Sequence, residues 1–372
     1  MKIRKTQYIL TLIGAFMVGV VLTGGVAAYK LNQAPLGDEK IQTLQYYIEN
    51  YYYTDYSEAE LMEGAYKGYV EALEDPYSAY MTPVEYESFN VSTSGEYSGV
   101  GITFSENEKG DFVILSIVSG SPADKTGFRE GDILLTVDGK SFHSADTMAA
   151  AIRGKKGTEV TLKYSRDGTT KSVTMVRDRI SQKSVEYKML DGETGYIYIS
   201  AFNEDTGDKF NDALEAITAK GAKSLVLDLR NNGGGLVDES VKIADEFLDE
   251  GVVCHVRDAQ GNRDTYKVED GKTDLETVVL VNGNSASASE ILAGALQDNG
   301  FTIIGKKTFG KGIIQAPFEM EDGSALKLTI MEYLSPKERK IHGKGLKPDI
   351  VISDDKKTDA DEQLEKALEI LK

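Results

Sequence analysis

The stretch that decides the fold runs Val278-Val-Leu-Val-Asn-Gly-Asn-Ser-Ala-Ser-Ala-Ser-Glu-Ile-Leu-Ala-Gly-Ala-Leu-Gln-Asp-Asn-Gly300 and continues Phe301-Thr-Ile-Ile-Gly-Lys-Lys-Thr-Phe-Gly-Lys-Gly-Ile-Ile-Gln315. Val278 to Val281 is a short apolar run, suited to a strand buried on both faces. Asn282-Gly283-Asn284 is turn chemistry. Past Ser287, the residues Ile291, Leu292, Ala295 and Leu296 recur at helical spacing. A residue on a turn from strand into helix is exposed, and it lies at the positive end of the helix among unpaired backbone N–H groups. A serine placed there has what a nucleophile and its oxyanion need. Ser287 followed by Glu290 also fits a capping box, in which case the serine only starts the helix.

Lys311 tips the balance toward chemistry. Its neighbours are Phe309, Gly310, Gly312, Ile313 and Ile314, and Glu319 is the nearest acid in the sequence. Poor solvation favours the neutral amine, which can act as a general base toward a serine hydroxyl. Gln315 follows four residues later. On a strand, positions i and i+4 face the same way, so its amide oxygen is expected to accept an N–H from the amine. These residues alone leave Ser285, Ser287 and Ser289 open as nucleophile.

Ser-Ala-Ser-Ala-Ser-Glu-Ile followed by Thr-Phe-Gly-Lys-Gly-x-x-Gln resembles the C-terminal processing peptidases, or tail-specific proteases. These are serine endopeptidases with a Ser–Lys dyad and a built-in PDZ domain. The resemblance implies Ser287 as nucleophile, Lys311 as base and Gln315 as support for the base. It also implies that the N–H groups of Gly234 and Ala288 form the oxyanion hole. Three departures from the pattern are visible. The segment between serine and lysine is one residue shorter, with the loss expected in the strand Phe301 to Ile304. Gly233 stands where the family has proline, and Pro336-Lys337-Glu338-Arg339 lacks an expected glycine.

Working outward, residues 179–355 alternate strands and helices and read as an α/β, mixed-sheet peptidase core. Ser224 to Arg230 is a buried strand that ends in Asn231-Asn232-Gly233-Gly234-Gly235-Leu236, whose N–H groups are expected to remain free for an anion. Residues 95–178 resemble an inserted PDZ domain, a small barrel-like sheet with helices. Gly99-Val100-Gly101-Ile102 is the expected carboxylate-binding loop, Gly131 to Gly139 is the most PDZ-like string, and a hairpin turns at Asp167-Gly168. Arg153, at the end of a helix from Ala145, is the candidate contact through which the PDZ domain gates the active site. Residues 35–94 form a helical N-terminal region, and Asp75-Pro76-Tyr77-Ser78 resembles the peptidases' lead-in to the PDZ domain.

Lys2, Arg4 and Lys5 precede an apolar run from Tyr8 to about Ala28. About twenty residues at ~1.5 Å each cross a bilayer core. Residues 1–34 are therefore expected to be a signal anchor and linker, with the body outside the cytoplasm. The tyrosine-rich stretch Tyr46 to Tyr56 reads as packing, or as an exposed stripe for dimerisation, and the amphipathic stripe of residues 356–372 as docking on the core or on a second subunit.

The net charge of −18 argues against a nucleic-acid partner. Cys254 is the single cysteine, so no internal disulfide forms, and its neighbour His255 lies on the opposite face of an apparent strand. No HExxH or Cys/His cluster points to a metal, and no cofactor is expected. His143 and His342 lack acid partners nearby in sequence. Two further Ser-x-x-Lys strings, at Ser324 and Ser353, are set aside. The first would place serine and lysine on opposite strand faces, and the second is in a charged tail. The expected partners are proteins or peptides with exposed C-termini, and the membrane. A non-catalytic PDZ scaffold and a Ser–Lys amidase acting on cell-wall peptides are the rival readings.

Overall fold

The computed structural model describes residues 39–107, 109–181, 183–268, 271, 273–353 and 360–372. The expected signal anchor lies outside these residues. No helix among the described residues is long and apolar enough to cross a membrane.

The chain divides into two compact units, residues 1–64 and 65–372. The first holds α1 (Glu39–Tyr51) and the opening of α2 (Glu58–Glu71), a helix that runs on into the second unit. Within the first unit, Gln45 reaches Met62 on α2 at 3.7 Å, and Tyr46, Tyr47, Tyr51, Tyr52 and Tyr53 are all exposed.

The second unit begins with the end of α2, where Glu74 turns the chain at φ 54° before Pro76. Next come β1 (Ala79–Met81) and α3 (Pro83–Ser94), opened by a Thr82/Glu85 capping box and closed by Gly95 in the left-handed conformation. Strand β2 (Glu96–Gly99) leads into the PDZ-like region. There follow β3 (Ile102–Glu106), β4 (Phe112–Ile117), the short helix α4 (Pro122–Lys125), β5 (Ile133–Val137), α5 (Ala145–Ile152), β6 (Glu159–Arg166) and β7 (Thr169–Val176). Strands β3 to β7 pair antiparallel in chain order, and the Asp167-Gly168 turn has positive φ at both residues, as a tight hairpin requires. Val100, Ile114, Met148 and Leu162 fill the centre. Strand β8 (Asp178–Ser181) returns antiparallel to β2, so one ribbon carries the chain into and out of this region.

The remainder is the core. Its strands β9 (Val185–Met189), β10 (Thr194–Ile199) and β11 (Ser224–Asp228) are interleaved with α6 (Thr206–Ala219), and α7 (Val237–Asp245) follows them. Then come β12 (Gly251–Asp258), β13 (Arg263–Val268), β14 (Glu276–Val281), α8 (Ala288–Asp298), β15 (Thr302–Gly305), β16 (Ile313–Glu319), β17 (Ala325–Leu334), β18 (Ile350–Val351) and α9 (Glu362–Ile370). One sheet has the order β18-β15-β14-β11-β10-β9 and is parallel apart from β9. Leu225, Leu227, Val279 and Val281 face the helical layer with Phe210, Ile243 and Leu292. Val226, Val278 and Leu280 face the other way, onto Ala367 of α9. This alternation explains why Leu225 to Leu227 of β11 and Val278 to Val281 of β14 are unbroken apolar runs: both faces are covered.

A second, antiparallel sheet orders β1-β17-β12-β13, with β16 also on β17. The C-terminal stripe thus docks on the core sheet. The fold is the expected α/β mixed-sheet core with an inserted PDZ-type region and N-terminal helices. Strand β15 pairs with β14 in unbroken register from Val278↔Thr302 to Val281↔Gly305, so the short serine-to-lysine segment leaves the sheet regular. At the loop without its glycine, Glu338 itself adopts φ 56°.

Candidate active site

The carboxyl ends of β11 and β14 lie side by side, and the two loops leaving them make the site. Three serines sit where the second loop runs into α8: Ser285 in the loop, Ser287 at the helix cap and Ser289 in its first turn. Ser285 is fully buried, with its hydroxyl donating to the Leu229 carbonyl at 2.8 Å, and Ser289 is fully buried and donates to the Asn232 carbonyl at 2.9 Å. Both tie the two loops together. Ser287 is half-buried, and its hydroxyl forms no hydrogen bond with the described residues. Its backbone has φ 57° and ψ −119°, a conformation that costs a non-glycine residue about 1–3 kcal/mol. The strand-to-helix turn therefore presents one uncommitted hydroxyl at the start of α8.

Glu290, buried in the first turn of α8, organises the rest. A single carboxylate oxygen accepts the N–H of Ser287 at 3.0 Å and the N–H of Lys311 at 2.8 Å. Two hydrogen bonds to one atom hold those backbone nitrogens within about 6 Å of each other. The second oxygen accepts the N–H of Gly310 at 2.8 Å and the Thr308 hydroxyl. Glu290 thus does more than complete a helix cap; it joins the two candidate catalytic segments. The buried Tyr333 hydroxyl lies 2.7 Å from the Lys311 carbonyl oxygen and 3.0 Å from that of Ser287, and its single proton is shared between the two. Burial pushes that phenol well above its ordinary pKa, so it remains a donor.

The Lys311 amine has no ion-pair or hydrogen-bond partner among the described residues, and it lies 5.2 Å from the centre of the Tyr77 ring. Burial, and next the charge of Lys327, lower its pKa below the ordinary lysine range, partly opposed by Asp75. Gln315 is placed differently from the simple strand argument. Lys311 precedes β16, and a bulge in the β16–β17 pairing falls just before Gln315, so alternation does not relate the two residues. The Gln315 amide nitrogen donates to Thr329, directly opposite on β17, at 3.3 Å.

The glycine loop also departs from expectation. The Gly234 N–H is not free: it donates to the Asn232 side-chain oxygen at 2.8 Å. Asn232 is fully buried and anchored by its own amide to the Ile199 carbonyl at 2.9 Å. The Ala288 N–H has no acceptor among the described residues. A Cβ on Gly234 would lie 2.7 Å from Ser287 Cβ and 3.0 Å from the Ala288 nitrogen, so this glycine backs directly onto the serine turn.

In the PDZ-type loop, the carbonyls of Val100 and Gly101 accept N–H groups of Ala123 and Val118, each at 2.9 Å. The N–H groups of Val100 and Gly101 have no acceptor among the described residues. Gly99 ends β2, and Ile102 opens β3, the edge strand of its sheet. Gly101 has φ 81°, and a Cβ there would lie 2.3 Å from Ser121, so glycine is required. Arg153 caps α5 and donates to Ser88 on α3 at 3.0 Å, outside the PDZ-type region.

Reading along the sequence missed Asp75, Tyr77, Thr329 and His342. His342 lacks a nearby acid in sequence, but in the fold it is near enough to Asp75 to help hold that carboxyl below its ordinary range, and Tyr77 packs edge-on against its ring at 6.4 Å. No local pattern ties these residues to Lys311; strand pairing across the second sheet brings them there. Cys254 is fully buried and burial pushes its thiol up to about 12, while His255 bonds Thr265 instead. Ser324 donates to Asp322 and Lys327 lies over Phe89, so that Ser-x-x-Lys string makes no pair; most of the other lies outside the described residues.

A model described as peptidase family S41 matches residues 193–352, and a PDZ-domain model matches residues 98–176. A third, described as the activating protease CtpB N-terminal domain, matches residues 26–83. The chain is 39% identical over 370 residues to a "Probable CtpA-like serine protease" of Staphylococcus aureus (strain bovine RF122 / ET3-1), a match covering 94% of this chain and 73% of that one. It is 38% identical over 352 residues to a protein of the same description from Staphylococcus saprophyticus, covering 92% and 71%. Among solved structures, the photosystem II D1 C-terminal processing protease is 29% identical with a TM-score of 0.51, covering 85% of this chain and 87% of that one.

Proposed function

The chain belongs to peptidase family S41 as a serine peptidase of the C-terminal processing type with a PDZ domain, and from that premise we propose that it is a membrane-tethered, extracytoplasmic endopeptidase working through Ser287 and Lys311. The observation that carries this reading is the single oxygen of Glu290 that accepts the backbone N–H groups of both residues. Beside it stands the hydroxyl of Ser287, left uncommitted while Ser285 and Ser289 are engaged.

In the proposed reaction the neutral amine of Lys311 takes the hydroxyl proton as Ser287 Oγ attacks the scissile carbonyl. The peptide C–N bond then breaks, the Lys311 ammonium returns the proton to the leaving amine, and an acyl-enzyme remains. Water, deprotonated by the same amine, hydrolyses that ester and restores the serine. The oxygen of the tetrahedral intermediate is received by the Ala288 N–H and, once Asn232 releases it, by the Gly234 N–H. One such donor is worth about 3 kcal/mol in the transition state.

Substrates are proteins whose C-terminal segment adds as a strand to the open edge of β3. The chain terminus is received by the N–H groups of Gly99, Val100, Gly101 and Ile102 in their loop. Arg153 couples that region to α3. Residues 8–28 anchor the body outside the cytoplasm. The engagement of Gly234 by Asn232 is the observation that favours a second reading, a PDZ scaffold that binds tails without cutting them. Ser287→Ala separates the two: it should abolish cleavage of a tail-tagged protein while a labelled tail peptide still binds. Cleavage retained in that variant would refute the assignment.

A further inference from the structure

Resting on the Ser287–Lys311 reading, we propose that Tyr333 is a positioning residue for the base: its hydroxyl holds the carbonyl of Lys311 and so fixes the root from which the amine reaches Ser287. The direction of the hydrogen bond is set by the partners, because both are backbone carbonyls, which only accept. The two carbonyls differ in what else they receive. That of Ser287 already takes the N–H groups of Glu290 at 2.7 Å and Ile291 at 2.9 Å. That of Lys311 takes no other donor among the described residues, and it is the nearer to the phenol, at 2.7 Å against 3.0 Å. The proton is therefore shared unequally, with Lys311 the main acceptor.

The rest of that root is fastened as well. Glu290 accepts the Lys311 N–H at 2.8 Å, so the lysine backbone is held at both ends by side chains that are each 1% exposed. One comes from α8 above the first sheet, the other from β17 of the second sheet. The flanking glycines are fixed in turn. Gly310 accepts the Gly343 N–H at 2.9 Å, Gly312 accepts the Tyr333 N–H at 3.0 Å, and a Cβ on Gly312 would lie 2.2 Å from the His342 nitrogen. The freedom that remains is in the lysine side chain itself.

The second contact of the phenol ties this root to the serine turn. One hydroxyl oxygen within hydrogen-bond distance of both carbonyls keeps those two oxygens within about 6 Å of each other. A reacting group displaced by about 1 Å loses up to about a hundredfold in rate, so the placement of the root bears on the chemistry although Tyr333 acts on the amine only through the backbone. The ring has a separate task. It is part of the main apolar cluster, and a phenylalanine would pack there equally well. Packing and positioning are thus divided between the ring and a single oxygen atom, and substitution can separate them.

The test is steady-state cleavage of a tail-tagged substrate by full-length Tyr333→Phe and Lys311→Ala, with the rate and final extent of labelling by a small fluorophosphonate. In Tyr333→Phe, kcat should fall about ten- to a hundredfold with KM changed by less than about twofold. Labelling should slow by a similar factor and still reach every molecule. A purely structural role predicts the reverse, a smaller fraction labelled at the original rate, and that result overturns the proposal, as does a kcat within about threefold of the original. Replacing Tyr333 by 4-aminophenylalanine returns a donor to the same place and should bring kcat to within about fivefold of the original. That replacement decides the matter if Tyr333→Phe does not fold: a loss of about tenfold or more in the folded protein sinks the proposal. If Tyr333→Phe is unimpaired while Lys311→Ala is inactive, the dyad stands without this role for Tyr333. Cleavage surviving in Lys311→Ala overturns both.

Discussion

At the scale of single residues, the site depends on where protons and lone pairs are left over. Three serines share one short turn, and no periodicity distinguishes them, since the choice depends on acceptors contributed by another loop, the carbonyls of Leu229 and Asn232. The glycine and apolar neighbours of Lys311 did reveal its poor solvation, because burial was written in adjacent residues. Its second influence, Lys327, was not visible, as it comes from the neighbouring strand. That influence can be measured. A base works deprotonated, so cleavage should rise with pH as Lys311 loses its proton. Lys327 disfavours the ammonium and lowers that pKa; Lys327→Gln should therefore move the acidic limb of the kcat profile to higher pH. A limb that stays in place or moves down would show that Lys327 does not act on the base.

At the scale of elements, strands and helices were legible where periodicity and length agreed. β11 and β14 read as continuous apolar runs, and α8 carried its own helical spacing. The loops between them were legible as glycine-rich turns, but not in their hydrogen bonding. The Asn231–Leu236 loop was expected to offer free N–H groups, and instead the Gly234 N–H is held by Asn232. The β16–β17 bulge was likewise invisible, since an irregular pairing leaves no mark on one strand alone. The glycine loop is also where steric demand is sharpest. Gly234 has φ 104°, and an added methyl would meet the Ala286 carbonyl and Ser287 Cβ, each at 2.7 Å. Gly234→Ala should cut kcat by about a hundredfold or more by displacing the serine turn and its oxyanion donors. Near-normal kcat in a folded Gly234→Ala protein, checked by circular dichroism, would show that this loop does not shape the site.

For the whole molecule, the proposed function has the PDZ domain deliver a chain end to Ser287, in the turn that follows a strand of another sheet, and this gives weight to the contacts leaving the domain. One ribbon, β2 with β8, carries the chain in and out, and Arg153 reaches Ser88 on α3. α3 follows β1, which pairs with the strand that carries Thr329. Arg153→Ala should lower cleavage of a tail-tagged protein by about tenfold, the coupling expected of a contact between two sites. Cleavage at the original rate would end that role for Arg153. The central claim is that the amine at position 311 deprotonates the hydroxyl at position 287, and intact-protein mass spectrometry after exposure to a small fluorophosphonate tests it most directly. One covalent adduct, mapped to Ser287, is expected in the original protein and none over the same time in Lys311→Ala. An adduct on another residue, or equally fast labelling of Ser287 without the lysine, would contradict it.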